Sequence, residues 1–254
     1  SDMSNPEHRL WAQFLVLCCE ARGLRAETEQ ELLVSLNAGR SKEQGLTQGL
    51  LALRSPDTPS RAPTSLRPDL VATEPRGCTW FEVDRSKRSA EREESLRNLV
   101  LAMGAKLLNG QVLARVVVFA KTERIEQRAT AVLNKLMSAH ADQVLTEGRR
   151  QVRGTDTQGL YEVWSGVLQQ GPDRRQAVVD RQVGYVSIQR LPTWLPKARV
   201  DGSGRHSFAG WLGENYLPYF RETGWSPVPL TGCRAARDGA HQQPRPAGTH
   251  TGSR

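Results

Sequence analysis

The sequence predicts an α/β fold with a mixed central sheet flanked by helices, followed by a C-terminal elaboration. Residues 66–84 contain two apolar segments around a turn at Gly77, which indicates a β-hairpin. Residues 89–109 repeat apolar side chains at helical spacing, and residues 112–120 form a β-branched run typical of a buried central strand. A strand–helix–strand crossover that follows a hairpin favours a sheet with both parallel and antiparallel pairs.

Other elements are predicted on either side of this region. Residues 6–22 repeat apolar side chains at helical spacing, beginning at a proline and followed by a glycine, as in a helix. Residues 31–37 fit either a strand or a short helix. Residues 39–66 are predicted to be a flexible loop because three prolines fall within 56–63. A second amphipathic helix is predicted over 123–141.

These patterns suggest one core domain with extensions. The core is expected to span residues 6–150. Residues 151–230 are expected to form the C-terminal elaboration packed on this core, with strand-like alternation at 160–167 and 176–191. Residues 231–254 have almost no apolar side chain, and we expect a disordered basic tail there.

The composition excludes several classes of protein. The chain has 254 residues, of which 38% are hydrophobic, enough for a sizeable core. No apolar run approaches the roughly 18 residues of a membrane-spanning helix. Residues 1–5 are expected to be a flexible N-terminus in which Ser1-Asp2 resembles a remnant ahead of the native Met3, with no export signal. The four cysteines form no CxxC pair. We therefore expect a cytoplasmic protein with no membrane partner, zinc site or disulfide framework.

The charge balance points to a polyanionic partner. The formal net charge is +8, from 35 Lys and Arg against 27 Asp and Glu. Such an excess favours nucleic acid, or else an anionic membrane surface. Five basic residues on or after the predicted hairpin are candidate contacts to DNA phosphates: Arg67, Arg85, Lys87, Arg88 and Arg92.

Three carboxylates fall on the predicted hairpin. Asp69 lies on the first strand, and Glu82 and Asp84 lie on one face of the second. Adjacent antiparallel strands bring such side chains within a few ångström, where they repel one another unless a cation lies between them. Mg²⁺, or Mn²⁺ in its place, prefers oxygen ligands, activates water and stabilises charge on a phosphoryl oxygen. Carboxylates followed by basic residues therefore indicate DNA hydrolysis.

A second interpretation needs no metal. In it, Asp69 caps a turn, and Glu82 and Asp84 are solvent-facing strand residues that pair with arginine. The dipeptide Pro-Asp occurs three times in this chain, so the dipeptide alone indicates no function. The metal interpretation depends on the apolar hairpin that follows Pro68-Asp69.

The order helix–hairpin–helix–strand, with Pro68-Asp69 and Glu82-Val83-Asp84, resembles the PD-(D/E)XK superfamily, which has the restriction-endonuclease-like fold. Within it, Arg67-Pro68-Asp69 and Trp80-Phe81-Glu82-Val83-Asp84-Arg85 are most similar to the replication-relaxation family of plasmid and mobile-element proteins. The resemblance covers roughly residues 6–140. It implies a mixed sheet flanked by helices, DNA as the partner, and a role in plasmid replication or DNA processing.

The resemblance also implies roles for individual residues. Asp69 is then the metal-binding aspartate and Glu82 the second acidic ligand. An outer carboxylate is expected from the first helix or the segment after it, with three candidates: Glu20, Glu29 and Glu31.

The sequence departs from the superfamily pattern at one catalytic position. Asp84 stands where a lysine is expected, two residues after Glu82, and Lys87 is the candidate for a displaced ammonium. We expect a metal-dependent DNA endonuclease in which Asp69, Glu82, Asp84 and Lys87 are catalytic. The alternatives are a catalytically inactive DNA-binding protein for plasmid maintenance and a protein-interaction module. A homodimer is expected if the protein cuts palindromic DNA.

Overall fold

A computed structural model describes residues 6–20, 23–41, 51–53, 64–84, 90–140, 144–170, 176–191, 199–200 and 206–207. Their helices are α1 (Pro6–Glu20), α2 (Glu29–Asn37), α3 (Ala90–Leu101) and α4 (Glu123–His140). Their strands are β1 (Arg25–Thr28), β2 (Leu51–Leu53), β3 (Thr64–Leu66), β4 (Leu70–Glu74), β5 (Gly77–Asp84), β6 (Leu113–Ala120), β7 (Arg150–Gly154), β8 (Leu160–Gln170), β9 (Gln176–Arg190), β10 (Arg199–Val200) and β11 (His206–Ser207).

Seven of these strands form one mixed sheet in the order β1-β4-β5-β6-β9-β8-β7. The β1–β4 and β4–β5 pairs are antiparallel, whereas β5–β6 and β6–β9 are parallel. The short pairs β2–β3 and β10–β11 form two separate sheets. The predicted α/β class, with a mixed sheet flanked by helices, is confirmed.

Helices lie on both faces of the sheet. On one face, α1 packs on β1, β4 and β5 through a buried cluster that includes Leu15 and Phe81. On the other face, α3 and α4 cover a larger cluster that includes Trp80, Leu99 and Leu133. Successive residues of β5 therefore point into different clusters, as strand geometry requires. No helix among the described residues is long and apolar enough to cross a membrane.

The predicted hairpin and the strand after it are confirmed. β4 and β5 pair with Leu70 opposite Phe81, and the turn between them ends at Gly77. Gly77 has a φ of 143°, and a Cβ there would overlap the Val112 carbonyl oxygen, so the turn requires glycine. The crossover through α3 makes β6 a parallel neighbour of β5.

Two predictions about the elements were wrong in part. The helix expected over 89–109 ends at Leu101, because Gly104 has a φ of 82° and donates its backbone N–H to the Leu113 carbonyl oxygen at 2.8 Å. At Gly104 the backbone is therefore already paired with the first residue of β6. Residues 39–66, expected to be a loop, contain the antiparallel pair β2–β3, whereas their three prolines lie outside the described residues. Residues 31–37, for which a strand or a helix was open, belong to α2.

The expected domain boundary near residue 150 does not match a break in the sheet. β8 and β9 confirm the strands predicted at 160–167 and 176–191, but they belong to the main sheet rather than to an appended layer. β9 pairs in parallel with β6, with Arg115 opposite Tyr185. The core therefore extends to Leu191, which is buried with the α1 cluster.

Candidate functional site at the carboxyl edge of the sheet

The carboxyl edge is defined here as the end of the sheet where β5, β6 and β9 finish, at Asp84, Ala120 and Arg190. β4 runs antiparallel to β5, so the residue just before β4 lies at the same edge. That residue is Asp69. The topology therefore brings the residues of the two predicted acidic motifs to one edge of the sheet.

Asp69 continues the pairing of β4 with its side chain. Its backbone N–H donates to the Phe81 carbonyl oxygen at 3.0 Å, and its Oδ2 accepts the Val83 backbone N–H at 2.6 Å. The carboxylate thus takes the place of a strand carbonyl at the end of the ladder. Because Val83 is buried, this hydrogen bond also satisfies a backbone donor that has little access to water.

His8, in the first turn of α1, is the residue that the sequence analysis did not identify. Its Nε2 lies 3.0 Å from Asp69 Oδ1, so the two side chains form an ion pair when the imidazole is protonated. The hydrogen bond to Asp69 raises the pKa of His8 above its usual 6.5, and the negative charge of Glu82 acts in the same direction. Burial and the charge of Arg92 oppose this shift. The two carboxylates therefore favour the protonated form of His8.

Glu82 lies on β5 beside Asp69. The Trp80 indole N–H donates to Glu82 Oε1 at 2.7 Å, which fixes the orientation of the carboxylate from two residues earlier on the same strand face. Trp80 itself is fully enclosed in the α3–α4 cluster. The carboxylate is partly exposed, so one rigid core side chain orients a group that solvent and ligands reach.

Asp84 is paired differently from the two other carboxylates. Its side chain is only 3% exposed, and its Oδ1 lies 2.5 Å from an Arg92 guanidinium nitrogen. Half of the Arg92 side chain is exposed, so the arginine reaches from α3 into the end of the sheet. The pairing with arginine resembles the interpretation without a metal, but Asp84 is buried rather than solvent-facing.

Of the other predicted acidic ligands, Glu29 is a backbone neighbour of Asp69, because its N–H donates to the Asp69 carbonyl oxygen at 3.1 Å. Glu20 lies twelve positions after His8 along α1, and a rise of about 1.5 Å per residue separates them by about 18 Å. Glu31 closes the capping box of α2, where its carboxylate accepts the Thr28 backbone N–H at 2.8 Å. Glu29 Oε1 lies 3.3 Å from the Arg67 guanidinium.

Several predicted residues lie outside the described part of the chain. They are the basic residues Arg85, Lys87 and Arg88, together with the expected remnant 1–5 and tail 231–254. Of the predicted DNA contacts, only Arg67 and Arg92 have described positions, and each pairs with a carboxylate.

Two carboxylates at the carboxyl edge offer the oxygen donors that Mg²⁺ prefers, those of Asp69 and Glu82. Both oxygens of Asp69 already have a partner, the Val83 backbone N–H on Oδ2 and the His8 imidazole at Oδ1. Across the described residues there is no group of three or more His, Cys, Asp or Glu side chains placed to hold a metal. Mg²⁺ commonly binds through one or two carboxylates and keeps several waters or substrate phosphates, so two donors are compatible with it.

The His8–Asp69 pair predicts a pH-dependent contribution to stability. Because the folded-state pKa of His8 is raised, the contribution is complete below the unfolded pKa of about 6.5 and is lost as the pH rises through the folded value. We expect His8→Ala to lower the free energy of unfolding by roughly 0.5 kcal/mol more at pH 5.5 than at pH 9, a small effect because both side chains are partly exposed.

Urea unfolding of the wild type and His8→Ala at both pH values measures this difference. Gln13→Ala, an exposed and uncharged change on the same helix, is the control and should show one value at both pH values. Equal losses for His8→Ala at the two pH values would contradict the predicted ion pair.

Comparison with known proteins does not assign this chain to a family. No protein-family model matches the chain, and searches of curated proteins and of solved structures find no significant similarity.

Proposed function

We propose that the chain binds DNA and hydrolyses its phosphodiester bonds with Mg²⁺ or Mn²⁺, through a restriction-endonuclease-like fold. The observation that carries the proposal is the placement of Asp69, just before β4, and Glu82, on β5, at one edge of the sheet. Carboxylate oxygens are hard ligands of the kind that Mg²⁺ prefers.

The element order supports the fold part of the proposal. The helix α1 precedes the hairpin of β4 and β5, which is followed by the crossover helix α3 and the parallel strand β6; β1, α2, β2 and β3 lie between α1 and the hairpin. The resemblance to the PD-(D/E)XK superfamily implies such an order. It also implies an acidic residue at the start of one hairpin strand and a second within the next, where Asp69 and Glu82 lie.

Asp69 and Glu82 would hold the metal in this proposal. Bound there, the ion supplies an activated water and neutralises charge on a phosphoryl oxygen. The chain holds both ligands in place beforehand, because the Val83 N–H orients Asp69 and the Trp80 indole orients Glu82. When His8 is protonated, its positive charge beside Asp69 offsets the negative charge of that carboxylate.

The DNA part of the proposal rests on charge. The chain carries a net charge of +8, and Arg92 reaches the carboxyl edge with half of its side chain exposed. Phosphate contacts from arginine supply affinity that is independent of sequence. The proposal includes a cytoplasmic role in plasmid or mobile-element processing, as the family resemblance implies.

A second candidate is a DNA-binding protein without catalysis, and the Asp84–Arg92 pair favours it. Asp84 stands where the superfamily has a lysine, and its carboxylate is buried against a guanidinium. A carboxylate paired with a guanidinium at this position offers no ammonium to a reacting phosphate. DNA would then bind at the carboxyl edge and dissociate without being cleaved.

Nicking of supercoiled plasmid distinguishes the two candidates. Wild-type protein is incubated with plasmid in Mg²⁺, Mn²⁺ or EDTA, beside Glu82→Gln, which removes the charge and keeps the size of the side chain. We expect nicking that requires the metal and falls by about 100-fold or more in the variant, at unchanged DNA affinity.

Two other outcomes would contradict the proposed nuclease activity. DNA binding without nicking in any metal would establish the second candidate. A protein that neither nicks nor retards plasmid at low salt would overturn both candidates and leave an interaction module.

A further inference from the structure

The outward face of α4 has a composition that the candidate site does not explain. α4 packs on β6, β7, β9 and α3 through buried residues that include Ile125, Leu133 and Leu136. Its opposite face carries a stripe of exposed residues at spacings of three, four and seven. We name these residues the α4 stripe: Arg124, Gln127, Ala131, Asn134, Lys135 and Ser138.

The α4 stripe carries cations and amides, and the exposed carboxylate of Glu123 adjoins it at the start of the helix. No acidic residue stands three or four positions from Arg124 or Lys135, so neither cation has the intrahelical partner that commonly stabilises solvated helices. Gln127 donates an amide hydrogen bond to Glu123 at 3.1 Å, at the margin of the stripe. Ala131, at the middle of α4, and Ser138, in its last turn, are small, so a partner can approach the helix closely at both places.

The α4 stripe begins close to the carboxyl edge. The Lys121 backbone N–H donates to the Asp84 carbonyl oxygen at 2.8 Å, and α4 begins two residues later. The helix has 18 residues, which span about 27 Å, or about eight base pairs at 3.4 Å each. One DNA duplex therefore has the length to contact both α4 and the carboxylates.

We propose that the α4 stripe is the surface that reads duplex DNA, with α4 lying in the major groove. The inference rests on the proposed DNA partner and specifies how that partner is bound. Arg124 and Lys135 are about 17 Å apart along the helix axis, enough to reach phosphates on both sides of a groove about 12 Å wide. Gln127 and Asn134 lie between them, and such amides read the adenine edge through paired hydrogen bonds.

Charge complementarity decides for DNA over a protein partner. A helix that docks into a protein groove presents large apolar anchors at this spacing, whereas the α4 stripe presents none. Its cations and amides match the phosphates and base edges of a duplex.

The test compares two double variants that remove the same charges. Arg124→Ala/Lys135→Ala changes the stripe, and Arg76→Ala/Lys106→Ala changes two exposed residues next to the starts of β5 and β6, at the opposite end of the sheet. Binding to a labelled duplex of about 30 base pairs, longer than α4, is measured by fluorescence anisotropy over a range of salt concentrations.

We expect the stripe variant to bind at least about tenfold more weakly and its logarithmic salt slope to fall by about two, because two phosphate contacts are lost. The control should change affinity by less than about twofold. Alanine is a good helix former, and circular dichroism should show that both variants keep the wild-type fold.

A third variant tests base reading. Duplexes that the wild type selects from a random pool should lose their advantage over scrambled duplexes in Asn134→Ala, at an unchanged salt slope. Tighter binding of single-stranded DNA than of duplex, or an unchanged preference in Asn134→Ala, would overturn binding through the major groove.

The binding data distinguish a failure of this inference from a failure of the proposed function. If the wild type binds DNA and the two double variants lose affinity equally, the α4 stripe is not the reading surface and the proposed function stands. If the wild type binds no DNA at low salt, both are overturned.

Discussion

Replacing Asp69 with alanine is expected to lower the free energy of unfolding by about 2 kcal/mol, whereas Asp69→Asn should cost less than about 1 kcal/mol. Alanine leaves the buried Val83 backbone N–H without the acceptor that it now has at 2.6 Å. Asparagine keeps a carbonyl oxygen at that place and loses only the charge that faces His8. Urea unfolding of the three proteins at pH 7 measures both differences.

The same two variants should behave alike in catalysis. Both lose the negative charge that the proposed metal requires, so metal-dependent nicking should fall by about 100-fold or more in each. Similar stability losses for alanine and asparagine would contradict the structural role of the carboxylate. Wild-type nicking by Asp69→Asn would contradict its role as a ligand.

Gly184→Ala should destabilise the protein by about 3 kcal/mol, the upper end of the usual range for overpacking. Gly184 lies on β9, next to the point where β9 starts to pair with β6. A Cβ there would overlap the Ala114 carbonyl oxygen and lie 2.7 Å from the Met103 sulfur. The Ala114 oxygen belongs to the backbone of the central strand, so the clash cannot be relieved by a side-chain rotation.

Gly154→Ala is the matched control for this prediction. Gly154 also lies in the main sheet, but a Cβ there would meet only the Met137 sulfur at 4.0 Å, an ordinary contact. We expect a change within about 0.5 kcal/mol of zero, or a slight gain from the lower entropy of the unfolded chain. Thermal unfolding of both variants should show a clear fall for Gly184→Ala alone. Equal melting temperatures would mean that β9 does not lie against β6 as described.

Local sequence patterns predicted the elements whose partners are close in the chain. The hairpin of β4 and β5 needs only a turn and two apolar segments, and the crossover to β6 follows from the helix between them. The same patterns placed Asp69 and Glu82 side by side, and the register of Leu70 with Phe81 agrees with that placement.

Contacts between distant parts of the chain could not be predicted in this way. His8 meets Asp69 across 61 positions, and nothing in the residues around His8 specifies that contact. β8 and β9 were recognised as strands because apolar and polar residues alternate in them, but this alternation does not indicate which strands pair with each other. β9 therefore was not expected beside β6, and the core was predicted to end about 40 residues too early.

The Asp84–Arg92 pair was foreseen only in part from the sequence. Arg92 was predicted to contact DNA phosphates as a member of the basic run that follows the hairpin. The burial of Asp84 to 3% was not foreseen, since an acidic residue at a strand end is usually solvated. The pairing follows from the start of α3 at Ala90, which places Arg92 within reach of the last residue of β5.

The position of β9 also has a consequence for synthesis. β9 lies between β6 and β8 in the sheet, although it is the last of the three in the chain. A ribosome that adds about 5–20 residues per second needs roughly 4–14 s to proceed from Ala120 to Arg190. During that interval the nascent chain exposes the unpaired edge of β6, whose side chains are mostly apolar. Such an edge is a template for pairing with other chains, so the nascent protein is most prone to aggregate before β9 emerges.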